Sequence, residues 1–249
     1  MRNLPTTIIV AHGSPSDQDT LEAAVQKLTQ RVQEHASGHN VVGATLAKTG
    51  SLEQALRESS TDEPVAVYPF FMSEGWFVKS ELRRRVKVAL DHLQLERAVS
   101  YHPAFGLDPK VPELCRVRAL EAAERVGAMA SETVLVMAAH GSQKGPAAAE
   151  AAEQIASAVR DSGTFGAVRV GFVEQAPTIT EAASDLGGRV GICLPLFATT
   201  AGHVLMDIPE QLEAAGFGGD VLRPIGEDEE VPRLIASAIM SPVRTLATT

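Results

Sequence analysis

At 249 residues with 45 % hydrophobic side chains, the chain can bury two cores of about 120 residues each. A formal charge of −9 leaves no basic footprint for nucleic acid, and Arg83-Arg84-Arg85 reads as the solvated face of a helix. No apolar run has membrane length or the layout of a secretion signal, so a cytoplasmic protein with no membrane partner is expected.

Strand-like and helix-like runs alternate throughout. Thr7–Ala11 is short, apolar and β-branched. Leu21, Val25, Leu28 and Val32 then stand at helical spacing, opened by Ser16 and Asp17 as caps. Val41–Leu46 reads as a strand, Leu52–Leu56 as a short helix and Val65–Phe71 as a third strand. A helix is predicted from Lys79 to Leu93, a strand at Ala98–Tyr101, and a helix from Pro112 to Val126. The pattern then repeats, with strands at Val134–Ala138, Val168–Val173, Val190–Leu196 and Asp220–Leu222, helices between them, and a last helix at Val231–Ile239. Strands separated by helices of this length predict an α/β fold with parallel sheets and ligands beyond the carboxyl ends of the strands.

The second half copies the first. TIIVAHGSP (7–15) matches TVLVMAAHGS (133–142), VYPFFMSEGWF (67–77) matches ICLPLFATTAGHV (192–204), and HPAFGLDPKVPEL (102–114) matches LRPIGEDEEVPRL (222–234). Three blocks in one order at so long a period mean two tandem domains related by internal duplication. Each would be a mostly parallel sheet of about four strands flanked by helices. The Gly127–Glu132 stretch interrupts the helical pattern and sets the expected domains at 1–127 and 128–249.

The copies differ in their polar groups. His140 and Glu174 end strands of the second half, and His203 follows its third strand, whereas the first half keeps only His12. A lone histidine at a strand end can simply bond a carbonyl. Three such groups on adjacent parallel strands converge, and two imidazoles with a carboxylate suit a divalent metal or acid–base work. Gly141 and Gly202 flank the histidines and would let a bulky ligand approach the backbone, although taken alone they read as ordinary turn chemistry. Cys115 and Cys193 form no CxxC or Cys/His tract, so neither zinc nor an iron–sulfur cluster is expected from them. His35, His39, His92 and His102 read as surface residues.

The paired AHGS strand ends, the Pro-x-Phe…Gly-His segment followed by MDIPEQL, and the late Pro/Gly/Asp/Val blocks resemble the class II chelatases of tetrapyrrole biosynthesis. The nearest likeness is to sirohydrochlorin cobaltochelatases and ferrochelatases of the CbiX/SirB type, over nearly the whole chain. The resemblance implies insertion of Co2+ or Fe2+, with Ni2+ and Zn2+ as further options, into sirohydrochlorin or a related ring, with no nucleotide. It places the metal ligands and bases at His140, His203 and Glu174, and aligns Trp76 with the second histidine of the first half after a one-residue deletion, and Ala47 with the glutamate. A working set in the carboxy-terminal half is similar to anaerobic cobaltochelatases and protoporphyrin ferrochelatases.

Metal insertion releases two pyrrole protons, so bases are needed beside ligands. An imidazole with an unperturbed pKa of about 6.5 can serve as either near neutral pH. Nitrogen with carboxylate ligands does not single out one late first-row metal. The implied substrate is a polycarboxylate, for which Lys144 is the candidate cation, with Lys48 and Lys79 in comparable loops of the first half. Gly141, Ser142 and Gly202 are further expected substrate positions, and Trp76 and Phe77 an apolar wall for the ring. Taken alone, the lysines read as solvent-exposed residues, and Trp76 reads as well as core or interface packing. His12 reads as a relic or a structural group, with a supporting role behind the site or a low-affinity metal entry site as the alternatives. A non-catalytic tetrapyrrole or metal carrier on the same fold is the competing function, although a carrier need not keep both bases. Phosphotransfer is disfavoured because Ala139, not arginine, precedes His140. Fusion of two domains would let a monomer replace the homodimer expected of a one-domain relative.

Overall fold

The computed structural model describes residues 4–59, 64–143 and 145–241. Lys144 falls outside them. The first half runs β1 (Thr6–Ala11), α1 (Gln18–His35), β2 (Asn40–Thr45), α2 (Ser51–Glu58), β3 (Val65–Pro69), α3 (Arg83–Leu93), β4 (Val99–Tyr101) and α4 (Val111–Arg125). The second runs β5 (Thr133–Ala139), α5 (Ala147–Asp161), β6 (Ala167–Phe172), α6 (Ile179–Ala183), β7 (Val190–Pro195), α7 (Ile208–Ala214), β8 (Asp220–Val221) and α8 (Val231–Met240).

Two four-stranded sheets result, ordered β2-β1-β3-β4 and β6-β5-β7-β8, and every pairing is parallel. All residues of β1 and β5 are buried, which is why these strands read as unbroken apolar runs rather than alternating ones. On one face of the first sheet, Ile8, Val10, Val65 and Val67 pack with Leu52, Leu56, Leu82 and Val86. The second sheet repeats this with Val134, Val136 and Cys193 against Ile179, Ala182, Ile208 and Leu212. Both cysteines are free and buried, and burial raises their thiols above the ordinary range.

The compact units do not follow the expected halves 1–127 and 128–249. One unit comprises the chain up to Asp108 and again from Glu229; the other is Pro109–Asp228. Helix α4, the last of the first repeat, packs on α5 and β7 of the second sheet, while α8 packs on α1 of the first. Each repeat therefore gives its final helix to the other unit, and Gly127–Glu132 is an internal turn of the second unit. A break in helical periodicity marks where a helix ends, not which core it joins.

Three further expectations change. The helix predicted from Lys79 opens instead with a π-helical segment, Phe77–Leu82, before α3. The second unit has the same device at His203–Asp207 before α7. His102 is not a surface residue but 5 % exposed, its backbone N–H donating to the Val67 carbonyl and its ring 6.0 Å from that of Tyr68. The arginine cluster is engaged rather than merely solvated: Arg84 and Arg85 bond Glu81, and Arg83 lies 4.4 Å over the Tyr101 ring. Among the described residues no helix is long and apolar enough to cross a membrane.

Two stability predictions follow from these packings. Arg118 on α4 donates to Asp228, whose side chain is 7 % exposed, at the point where the chain leaves the second unit. Arg118→Ala should cost roughly 2 kcal/mol in urea unfolding, less than a fully buried pair because the guanidinium is partly solvated. Burial, and then neighbouring His39, lowers the pKa of His102 below its usual 6.5. The unfolded chain then takes up a proton that the folded chain refuses, so stability is full above about pH 6.5 and falls as the pH drops below it. Urea midpoints should decline from about pH 7 to about pH 5, and His102→Gln should flatten part of that slope.

Candidate metal centre

His140 follows the last residue of β5, and the parallel ladder continues beyond the strands. Val173 N–H donates to the Ala139 carbonyl and Glu174 N–H to the His140 carbonyl, both at 3.0 Å, while Leu196 N–H donates to Ala138 at 2.7 Å. This register sets Glu174 beside His140. Gly141 then turns the chain with φ +71, and a Cβ there would meet Gln175 Cγ at 2.8 Å and Phe172 Cβ at 3.0 Å. Its role is the turn, which only glycine makes without strain. The Gln175 Oε1 accepts the Ser142 N–H at 2.8 Å and pins the outgoing loop.

His203 arrives by a longer route. After β7 the loop is held from beneath: Gly226 N–H donates to the Phe197 carbonyl at 3.0 Å, and Thr200 N–H to Glu227 Oε1 at 2.6 Å. A Cβ on Gly226 would lie 2.2 Å from the Ala198 oxygen, so the glycine of the late motif is a contact requirement. Gly202 differs: its φ of −41 is ordinary and nothing lies near where a Cβ would be. The π-helical segment then starts at His203. π-turns are rare and concentrate at functional sites.

The three side chains meet. The rings of His140 and His203 are 4.5 Å apart, nearly perpendicular at 84°. Glu174 Oε2 is 3.7 Å from His140 Nδ1, and one ligating atom from each residue lies within 4.8 Å of the others. The side chains are 43 %, 41 % and 42 % exposed for His140, Glu174 and His203, so the cluster is open to an incoming molecule. Among the described residues it is the one group of three such side chains with this spacing.

Hydrogen bonds fix which nitrogen each ring offers. The Gly141 carbonyl can only accept, so His140 Nδ1 at 3.0 Å carries the proton; likewise His203 Nδ1 donates to Asp207 Oδ2 at 2.8 Å. Nε2 is left as the unprotonated nitrogen of both rings. Two such nitrogens and a carboxylate oxygen form a three-donor set with positions to spare, which can hold a divalent ion or accept protons.

The first unit shows the same frame with its donors removed. His12 Nδ1 donates to Gly13 at 3.0 Å, and Ala47 N–H donates to the His12 carbonyl at 2.9 Å where Glu174 stands in the other copy. The His12 ring lies 4.8 Å from that of Phe77. From Pro69 to Phe77 and from Pro195 to His203 the count is the same, and both π-helical segments begin at those residues. Phe77, not Trp76, therefore occupies the second histidine position, and no deletion is needed. Trp76 corresponds to Gly202 and is 71 % exposed in the first unit. Lys48 there is bound to Asp19 at 3.0 Å. Asp207, Gln175 and Glu227 were not singled out from sequence. The four-residue spacing of His203 and Asp207 in a helical pattern was a readable signal for the first; the others had none.

The CbiX family model matches the chain twice, over residues 6–122 and 134–241. A probable sirohydrochlorin cobaltochelatase of Halobacterium salinarum is 25 % identical over 221 residues, spanning 82 % of this chain and 75 % of the relative. The solved structure of CbiX, described as the terminal enzyme for biosynthesis of siroheme in denitrifying bacteria, aligns with a TM-score of 0.84 at 41 % identity. It covers 97 % of this chain and 100 % of the other. SirB from Bacillus subtilis with Fe3+ shares the fold at a TM-score of 0.74 and 16 % identity, covering 95 % and 94 %. With the family pattern met once in each repeat, the chain belongs to the CbiX family.

Proposed function

We propose that this protein inserts a divalent metal ion into sirohydrochlorin or a closely related tetrapyrrole, and that the second unit does the work. The observation that carries this reading is the convergence of His140, Glu174 and His203 in one repeat, against an alanine and a phenylalanine at the last two positions in the other. The activity itself is taken from the CbiX relative at 41 % identity and from the archaeal cobaltochelatase.

Insertion exchanges two pyrrole N–H bonds for bonds to the metal, and two protons must leave. The Nε2 atoms of His140 and His203 are free to accept them, because both Nδ1 atoms are already donating. Glu174, two-fifths exposed beside His140, passes a proton to solvent or steadies the ion before the ring takes it. The metal is a substrate here, so a weak three-donor grip is an advantage: a closed four-ligand site would retain the ion. Gly202 leaves the approach to His203 unobstructed, and Ser142 and Lys144 are the groups of this unit we assign to the carboxylates of the ring. The Gly141 position serves the turn.

For the metal, the relatives point two ways, to cobalt in the archaeal protein and to iron through siroheme in the CbiX structure. Nitrogen and carboxylate donors accept either. We assign Co2+ or Fe2+, a cytoplasmic setting, and a working monomer in which two repeats stand for two subunits.

Protein mixed with sirohydrochlorin and Co2+ or Fe2+ should change the visible spectrum of the ring faster than buffer does, and beyond one equivalent. Stoichiometric uptake without turnover would instead identify a carrier. His140→Ala should lower the rate by about 100-fold, the usual contribution of a positioned base. His12→Ala should leave it nearly unchanged; equal losses in both variants would place the chemistry in the wrong unit. Gly141→Ala should reduce both activity and stability, the latter by more than about 1 kcal/mol, because it forces a side chain into positive φ beneath the catalytic histidine.

A further inference from the structure

The donor set accounts for three side chains, but a fourth group is tied to it. Asp207 closes the π-helical segment that His203 opens, and its Oδ2 accepts from His203 Nδ1 at 2.8 Å. Both side chains are 42 % exposed. Asp207 lies outside the ligand cluster itself, which comprises His140, Glu174 and His203.

We propose that Asp207 is the positioning residue for His203: it holds the ring in the Nδ1–H tautomer and aims Nε2 at the incoming metal and ring. This rests on the reading of His140, Glu174 and His203 as the working site. An imidazole without such a partner is free to place its proton on Nε2, and that atom can then neither ligate nor accept a proton. Carboxylate partners of ligating histidines commonly fix tautomer and orientation in this way. His140 meets the same need differently, through the Gly141 carbonyl. That carbonyl is built into the strand-end turn and lies closer to His140 Nδ1 than the Glu174 carboxylate does, at 3.0 Å against 3.7 Å. His203 opens a helical segment, and the acceptor its Nδ1 meets is a side chain one turn on.

The first repeat provides an internal control. Glu81 stands four residues after Phe77, as Asp207 stands four after His203. With no imidazole to serve, the Glu81 carboxylate is turned to Arg84 and Arg85, accepting at 2.8 Å and 2.7 Å, and these bonds hold its pKa down to about 2. The acid is aimed at a histidine only in the copy that has one.

The tautomer can be read without metal or tetrapyrrole. Long-range 1H–15N spectra of the 15N-labelled protein at about pH 8, where an imidazole is neutral, should show His203 protonated at Nδ1. Loss of that signal in His203→Ala assigns it. Asp207→Ala should move the proton largely to Nε2 and weaken Co2+ binding by about 10-fold, the lower end expected for a half-exposed partner. Asp207→Glu should recover part of both effects. Should the alanine variant not fold, Asp207→Leu carries the same readouts, because its side chain can neither accept from Nδ1 nor donate to it. An Asp207→Ala protein that keeps the wild-type tautomer, or wild-type Co2+ affinity, overturns the proposal. If His203→Ala weakens Co2+ binding while Asp207→Ala does not, only the positioning role falls. If His203→Ala leaves Co2+ binding intact, the site reading falls and takes the proposal with it.

Discussion

The backbone bond from Glu174 N–H to the His140 carbonyl fixes the geometry from which the site follows. It is one rung of a parallel ladder that outlasts its strands, and it forces two residues 34 positions apart into register. Parallel strands all end at one edge, so side chains placed just past their ends gather without any dedicated scaffold. The sheet itself is held by apolar burial on both faces and asks nothing of these residues. Polar chemistry at the edge and hydrophobic packing beneath it are thus separable.

The two repeats display that separation within one chain. Both have the strand-end histidine, the turn glycine at positive φ, the π-helical segment and the glycine whose Cβ would strike the loop above it (Gly106 in one, Gly226 in the other). These are backbone requirements, and they persist in both. What differs is side-chain equipment: Ala47 and Phe77 in the first unit, Glu174 and His203 in the second. The fold is the same with and without these donors because Glu174 and His203 lie outside the buried core. The vacated place in the first unit is filled by aromatic contact between His12, Phe71 and Phe77.

The exchange of final helices changes what a repeat is. In each unit the sheet is completed by a helix from the other half of the sequence, α8 against α1 and α4 against α5. Neither repeat carries all the apolar surface its own sheet needs. Duplication at the level of sequence and compactness at the level of structure therefore divide the chain at different points, and both divisions are real.

Much was legible in advance. Apolar runs with no alternation mark the central parallel strands, helical spacing marks the covering helices, and the unequal repeats single out His140, Glu174 and His203 as groups that would converge, as they do. These signals are local, or are comparisons of one segment with another, and a linear chain carries both. The equal spacing from Pro69 to Phe77 and from Pro195 to His203 is likewise a count the sequence already carries. The boundary between units, the burial of His102, the π-turns and the Asp207 contact were settled only in three dimensions. Each depends on which distant surface a segment meets or on how a helix winds over one turn. Such choices are made by the packing free energy of the whole unit and leave little trace in the composition of the segment itself.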